Sequence, residues 1–485
     1  MSESFPPPMQ PEPAPPPPPI DEPPPPPKGA PIVWLGVAFG ILFMATMATL
    51  GIVVQEGVTA DRASLDRELR LLEADYSIAL VREGGSDEKA AQGILLDARR
   101  RLESIPLQTE GAKYVRYRAL LILEMVANPK DRHSVEGLTD ATDDITDQEG
   151  RNDVAKRRAR VNDALRALAS GAEGRELEEA AQALKEEAGQ SWPLTLALDE
   201  ARRRMGIANE MLPAPLAFLL VGLVGMGALA WIAYLALRLS GSLQPAGAPI
   251  RRFAAAPALV GDSLGLRFFV FLLIYTVVPV VLMIGLSSAF GEGLGTRLMV
   301  MALAAPVVLA AIFLPWLGVR LRPGHIGISL RGFGRMALWG VGGWLANLPV
   351  LLVLFAVTMF LSRWLPSASH PLGEELSSPG GVAISLIVAA VIAPLIEEVV
   401  FRGMLFQGLG LRLRGVLWPV VLSSLAFASV HPQGPATWVV LGWIGAMGCL
   451  LVHQTGSLIP AIVMHALHNF TIIVLAVYLE NSVGL

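Results

Sequence analysis

Charge is what this sequence has least of. Asp, Glu, Lys and Arg make up 16% of its 485 residues, against 53% hydrophobic ones, and the mean hydropathy is +0.51. Soluble globular domains carry about 25% charged residues, so the scarcity excludes an ordinary soluble enzyme and points to a polytopic membrane protein. An excess of positive charge is lacking too: a net charge of −4 leaves no electrostatic footprint for nucleic acid. Cysteine is nearly absent. Cys449 has no partner for an intrachain disulfide, and its apolar neighbours mark it as a small buried hydrophobe. No His-Glu-x-x-His run occurs, which excludes the soluble zincin arrangement of two ligands and a base on one helix.

What is present changes character along the chain. Residues 1–30 are a proline tract with almost no aliphatic content, read as a disordered, partly polyproline II tail that serves as a spacer. Residues 31–54 form an uncharged run long enough to span a bilayer, without a clear cleavage site, and so an uncleaved anchor. In residues 55–212 charge becomes dense and apolar residues recur at helical spacing, as in Leu65, Leu69, Leu72 and Ala79. Helices are expected over 59–83, 87–104, 111–127, 152–170, 174–188 and 192–208, broken at Gly84-Gly85-Ser86 and Asn128-Pro129. This reads as a soluble helical domain without a catalytic constellation, suited to binding a protein partner. From Leu212 onward apolar runs return, at 214–237, 268–290, 298–318, 337–361, 381–410, 415–431, 437–453 and 458–479. Helices and basic loops fill 213–334, and a last unit covers 335–485. The fold expected is all-α, with about nine transmembrane helices and an inserted soluble helical domain. Loops 238–267, 319–336 and 411–414 carry ten arginines, whereas the alternate loops carry Arg297 and Arg363. The positive-inside rule then places the N-terminal tail in the cytoplasm and residues 55–212 outside it, in a bacterial plasma membrane.

Three polar clusters interrupt the last spans. The first is Glu397-Glu398 with Arg402, inside an otherwise apolar run. Ionisable groups at bilayer depth need partners and mark function by default. Glu398 and Arg402 lie four apart and share a helix face, so they can pair. Glu397 is rotated about 100° away and can face a cavity. The second cluster is Phe427 to His431, and the third is His465-Ala466-Leu467-His468-Asn469. Counting helical rise from the arginine-rich side puts Glu397 at about 22 Å, His431 at about 25 Å, His465 at roughly 14 Å and Asn469 at about 20 Å. One intramembrane layer thus receives a carboxylate, two imidazoles and an amide. A buried glutamate can act as general base toward water. Histidines can hold a zinc ion that lowers that water's pKa, or His and Asn can donate to the oxyanion of a tetrahedral intermediate. Either route is hydrolysis, and the expected target is a peptide bond.

Glu397-Glu398-x-x-x-Arg402, Phe427-x-x-x-His431 and His465-x-x-x-Asn469 resemble, in order and spacing, the three motifs of the CPBP (CAAX protease and bacteriocin-processing) intramembrane protease family, which includes the type II CAAX prenyl endopeptidases. The resemblance covers about residues 335–480. It implies an all-α membrane hydrolase with its site inside the bilayer and a membrane-embedded or membrane-proximal polypeptide as substrate. Glu397 would activate water, His431 and His465 would be zinc ligands or catalytic polar groups, and Asn469 would support the oxyanion. Glu398, Arg402 and Phe427 would have supporting roles. His468 is extra to the motif and is the alternative to His465 as a ligand. The rival readings are a catalytically silent scaffold and a proton-coupled transporter. No repeat of the Glu/His pattern in 268–361 favours the transporter.

Overall fold

The structure, a computed structural model, describes residues 31–54, 59–145, 150–188, 191–206, 214–254, 256–290, 312–361, 379–431 and 433–482, with isolated positions between 300 and 365. Helices dominate, and no strand forms among the described residues. The charged segment folds as six helices around a core of its own: Ala60–Arg82, Asp87–Glu103, Glu110–Ala127, Gly150–Ser170, Gly174–Ala188 and Trp192–Arg204. The first buries one apolar stripe, Leu65, Leu69, Leu72, Tyr76 and Ala79, whereas Glu110–Ala127 is buried nearly all round, down to Leu121, Ile122 and Leu123 in succession. Gly84 and Gly85 adopt the left-handed backbone (φ +67° and +81°) that lets the chain reverse, and the Ser86 hydroxyl caps the next helix by accepting from the Lys89 N–H.

Two carboxylates hold this bundle together where its loops meet. Asp144 accepts from Arg62 at 2.8 Å and Arg158 at 2.7 Å. Burial opposes its ionisation, yet the two guanidiniums outweigh that and hold the carboxyl below its ordinary value. Asp61 accepts from the N–H groups of Gln108 and Thr109, each at 3.0 Å, tying the first helix to the start of the third. Asp199 has the opposite character: burial pushes its carboxyl up to about 6 against the pull of Arg202.

Among the described residues the apolar remainder contains six helices long and apolar enough to cross a bilayer: Phe218–Leu239, Pro257–Leu286, Phe333–Leu361, Gly381–Arg412, Pro435–Thr455 and Ile459–Tyr478. The sequence expectation of nine is met only this far. Outside these six, the first apolar helix runs over Pro31–Val54, 24 residues, Leu417–Ser429 is shorter at 13 residues, and most of 298–318 lies outside the described residues. The long helix Pro257–Phe290 begins well before the expected 268 because its first turns pack against the end of the 379–412 helix and against Trp34. There the Asp262 carboxylate accepts from the Trp34 indole at 3.0 Å and pairs with Arg412. Close approach by small residues joins the other spans, as membrane helices require when hydrophobicity cannot drive association. A Cβ at Gly340 would lie 2.6 Å from Val463, so Phe333–Leu361 and Ile459–Ser482 touch at that point.

Candidate functional site

The first polar cluster sits on a helix that is not regular. Between 379 and 412 the backbone passes through two wide π-type stretches, Val388–Ile392 and Glu398–Phe406, flanking the short α-turn Ala393–Glu397. Pro394 is the local cause that the sequence displays. It has no N–H, so a carbonyl one turn back loses its donor. In the i+5 pattern that carbonyl is Ala389, and its oxygen accepts instead from the Asn469 amide at 2.6 Å. Asn469, expected to face an oxyanion, therefore spends one of its two N–H groups bridging the glutamate helix to Ile459–Ser482. A second such bridge lies below it, where the Ser423 hydroxyl donates to the Phe401 carbonyl at 3.0 Å. Wide turns of this kind concentrate at functional sites.

The wide turn presents the two glutamates to different surroundings. Glu398 and Arg402 are both fully buried and pair at 3.0 Å. The Arg402 guanidinium stands 4.3 Å from the centre of the Phe427 ring, and none of its N–H groups is aligned for a hydrogen bond within the protein. Ion-pair attraction and the ring face carry its charge. Room for it comes from Gly448, where a Cβ would lie 2.8 Å from the Arg402 Nε. The same Glu398 oxygen faces the His465 Nδ1 at 2.9 Å. An ionised carboxylate only accepts, so the His465 Nδ1 carries the proton and donates.

Glu397 is 24% exposed and turns the other way. Its Oε2 lies 3.8 Å from the His431 Nε2 and 3.8 Å from the His465 Nε2. His431 enters because Leu417–Ser429 stops short, and its Nδ1 donates to the Phe427 carbonyl at 2.5 Å. Both imidazoles thus have Nδ1–H engaged and turn Nε2 toward Glu397. At 3.8 Å neither nitrogen is hydrogen-bonded to the carboxylate. Three groups that accept protons border one small volume, a setting that suits a water able to donate to them.

Of the expected residues, Glu397, Glu398, Arg402, Phe427, His431 and His465 are brought into one contiguous group. Phe427 is its hub, against the rings of Phe401, His431 and His465. Asn469 joins through the glutamate helix. The imidazoles within 4 Å of Glu397 are those of His431 and His465, not that of His468. Among the described residues no group of three or more His, Cys, Asp or Glu side chains is arranged to hold a metal ion. Sequence reasoning passed over Ser423, Gly448 and Gln407. The Gln407 amide donates to the Ile326 carbonyl at 3.1 Å and accepts from the Ile250 N–H at 2.9 Å, locking two loops onto the same helix.

Residues 379–471 match the type II CAAX prenyl endopeptidase Rce1-like family, a segment that contains every residue of the site. No curated protein and no solved structure matches the chain.

Proposed function

With residues 379–471 placed in the type II CAAX prenyl endopeptidase Rce1-like family and six bilayer-length helices in an integral membrane protein, we propose that the chain is an intramembrane endopeptidase using Glu397 as general base. One observation carries this reading: the Glu397 Oε2 faces the Nε2 atoms of His431 and His465 at 3.8 Å each, while Glu398 is committed to Arg402 and to the His465 Nδ1. Glu397 removes a proton from water, and the water oxygen attacks the carbonyl carbon of the scissile peptide bond. The C–N bond then breaks as Glu397 returns the proton to the leaving amine. The water's other O–H donates to one Nε2 lone pair, that of His431 or His465, which orients it. The second N–H of Asn469 is the donor for the developing oxyanion. Glu398 fixes the His465 ring, and Arg402 neutralises Glu398.

The substrate is a polypeptide within the bilayer or beside it, and a prenylated C-terminal peptide is the first to test. Residues 55–212 form the extracytoplasmic part, a surface for capturing substrate or a protein partner, with residues 1–30 in the cytoplasm. The test compares peptide termini in membranes of cells carrying the wild type or Glu397→Gln. Cleavage in the variant is expected to fall by at least about 10²-fold, the lower range for loss of a general base, with an uncleaved precursor accumulating at unchanged enzyme level. Identical termini in both membranes would sink the peptidase reading and leave a membrane scaffold.

A further inference from the structure

The helices Ala214–Leu239, Phe333–Leu361 and Trp438–Thr455 line a half-open cavity of about 360 Å³ that plays no part in the chemistry above. Leu338, Ala346, Met447, Leu450 and Leu451 make its walls. Its polar lining is satisfied from within. The Trp231 indole donates to the Ala346 carbonyl at 2.7 Å, the Tyr234 hydroxyl to Gln454 at 3.3 Å, and the Gln454 amide to the Gln244 carbonyl at 3.0 Å. Arg335 stands at one end, exposed, and no acidic side chain lines the cavity.

The dimensions and the charge point to one class of occupant. From Arg335 to Ala346 is about 16 Å of helix, close to half of a bilayer's hydrocarbon core. The cavity is therefore one leaflet deep, with its guanidinium at the level where the arginine-rich loops begin. Residues 238–256 and 319–336 contain no Asp or Glu, but they do contain Arg238, Arg251, Arg252, Arg320, Arg322, Arg331 and Arg335. A basic pocket between spans on such an edge is suited to a lipid phosphate.

We propose that this cavity binds an anionic phospholipid, with an acyl chain between the three helices and the phosphate on Arg335. The proposal does not rest on the peptidase reading, since no residue of that site lines the cavity. Gly342 supplies the probe: it lines the cavity, and a Cβ there meets no atom within 4 Å. A side chain at Gly342 therefore starts into open space, and Gly342→Leu places its branched end in the cavity.

The full chain, purified in detergent, is incubated with dioleoyl phosphatidylglycerol or dioleoyl phosphatidylcholine, and bound lipid is counted by native mass spectrometry. The wild type is expected to retain phosphatidylglycerol preferentially. Gly342→Leu is expected to lose both lipids. Arg335→Gln should bind phosphatidylglycerol about fivefold more weakly, the effect of one basic side chain near an anionic surface, with phosphatidylcholine unchanged. Because Arg335 is exposed, that variant keeps the test decisive even where Gly342→Leu folds poorly. Equal retention of the two lipids by the wild type, or undiminished phosphatidylglycerol on a folded Gly342→Leu, would overturn the proposal. So would displacement of the lipid by a farnesylated peptide at equal concentration, which would make the cavity a substrate-tail site.

Discussion

Arg402 and Glu398 are an ion pair with no exposure, supported on one side by the Phe427 ring and on the other by the His465 Nδ1. Removing one partner leaves an uncompensated buried charge, whereas removing both leaves a polar but neutral site. Arg402→Ala is expected to destabilise the protein by about 3–5 kcal/mol, read as a lowered melting temperature in nanodiscs. Glu398→Gln combined with Arg402→Met should recover more than half of that loss; a double variant as unstable as the sum of the two changes would contradict the pairing. This pair was legible in the sequence because its members are four residues apart in one helix. Gly448 was not, since a missing side chain on another helix leaves no pattern until the guanidinium is seen to occupy its place. Asp199 gives a residue-scale test outside the spans. Its carboxyl is raised from 3.8 to about 6, chiefly by burial, with Arg202 opposing. The folded state therefore binds more protons than the unfolded state between those values, and this group's contribution to stability falls as pH rises through that window. Asp199→Asn should stabilise the charged helices at pH 7 by no more than about 3 kcal/mol at 1.36 kcal/mol per unit, and the gain should vanish near pH 4. Resistance of the full chain to limited proteolysis at the two pH values measures the difference.

The helices of the charged segment follow their apolar periodicity closely, and the expected break at Gly84-Gly85-Ser86 lies where the backbone turns left-handed and Ser86 caps the next helix. The glutamate helix was legible as an apolar run, but its wide turns were not. A π stretch depends on which carbonyl finds which donor, and hydropathy carries no record of that. Pro394 was the one readable trace. Likewise the 415–431 run reads as a span, yet the helix covers Leu417–Ser429, about 20 Å at helical rise. It ends where His431 is needed. If Asn469 substitutes for the N–H that Pro394 lacks, the two residues are energetically coupled. Asn469→Leu should cost about 1–3 kcal/mol by stranding the Ala389 carbonyl. In a Pro394→Ala background the restored N–H can serve that carbonyl, so the same change should cost less, with a coupling of at least about 0.5 kcal/mol. A double-mutant cycle on unfolding free energies measures it, and strictly additive losses would refute the substitution of one donor for the other.

Among the described residues three apolar clusters divide the molecule: one under the charged helices, one running from Val37 through Ile250, Phe268 and Val400 to Leu458, and a smaller one around Ala346, Ile444 and Met464. Which side of the membrane each end of this arrangement faces is written in arginines alone. Asp262 and Arg412 show how the basic edge is built into the packing, since their pair joins two spans there and the Trp34 indole docks on the same carboxylate. The counts in short loops predict that this edge is cytoplasmic and that the charged helices are not. Cys449 is fully buried and should stay silent to thiol reagents, so single cysteines can be introduced into the natural chain. Glu88 on the charged helices and Ser242 in the basic loop are both exposed. A membrane-impermeant maleimide should label Glu88→Cys in intact cells and Ser242→Cys only after lysis. The reverse pattern would put the helical segment in the cytoplasm and move any partner it captures to that side. Labelling of both positions in intact cells would mean that Ala214–Leu239 does not carry the chain across the membrane.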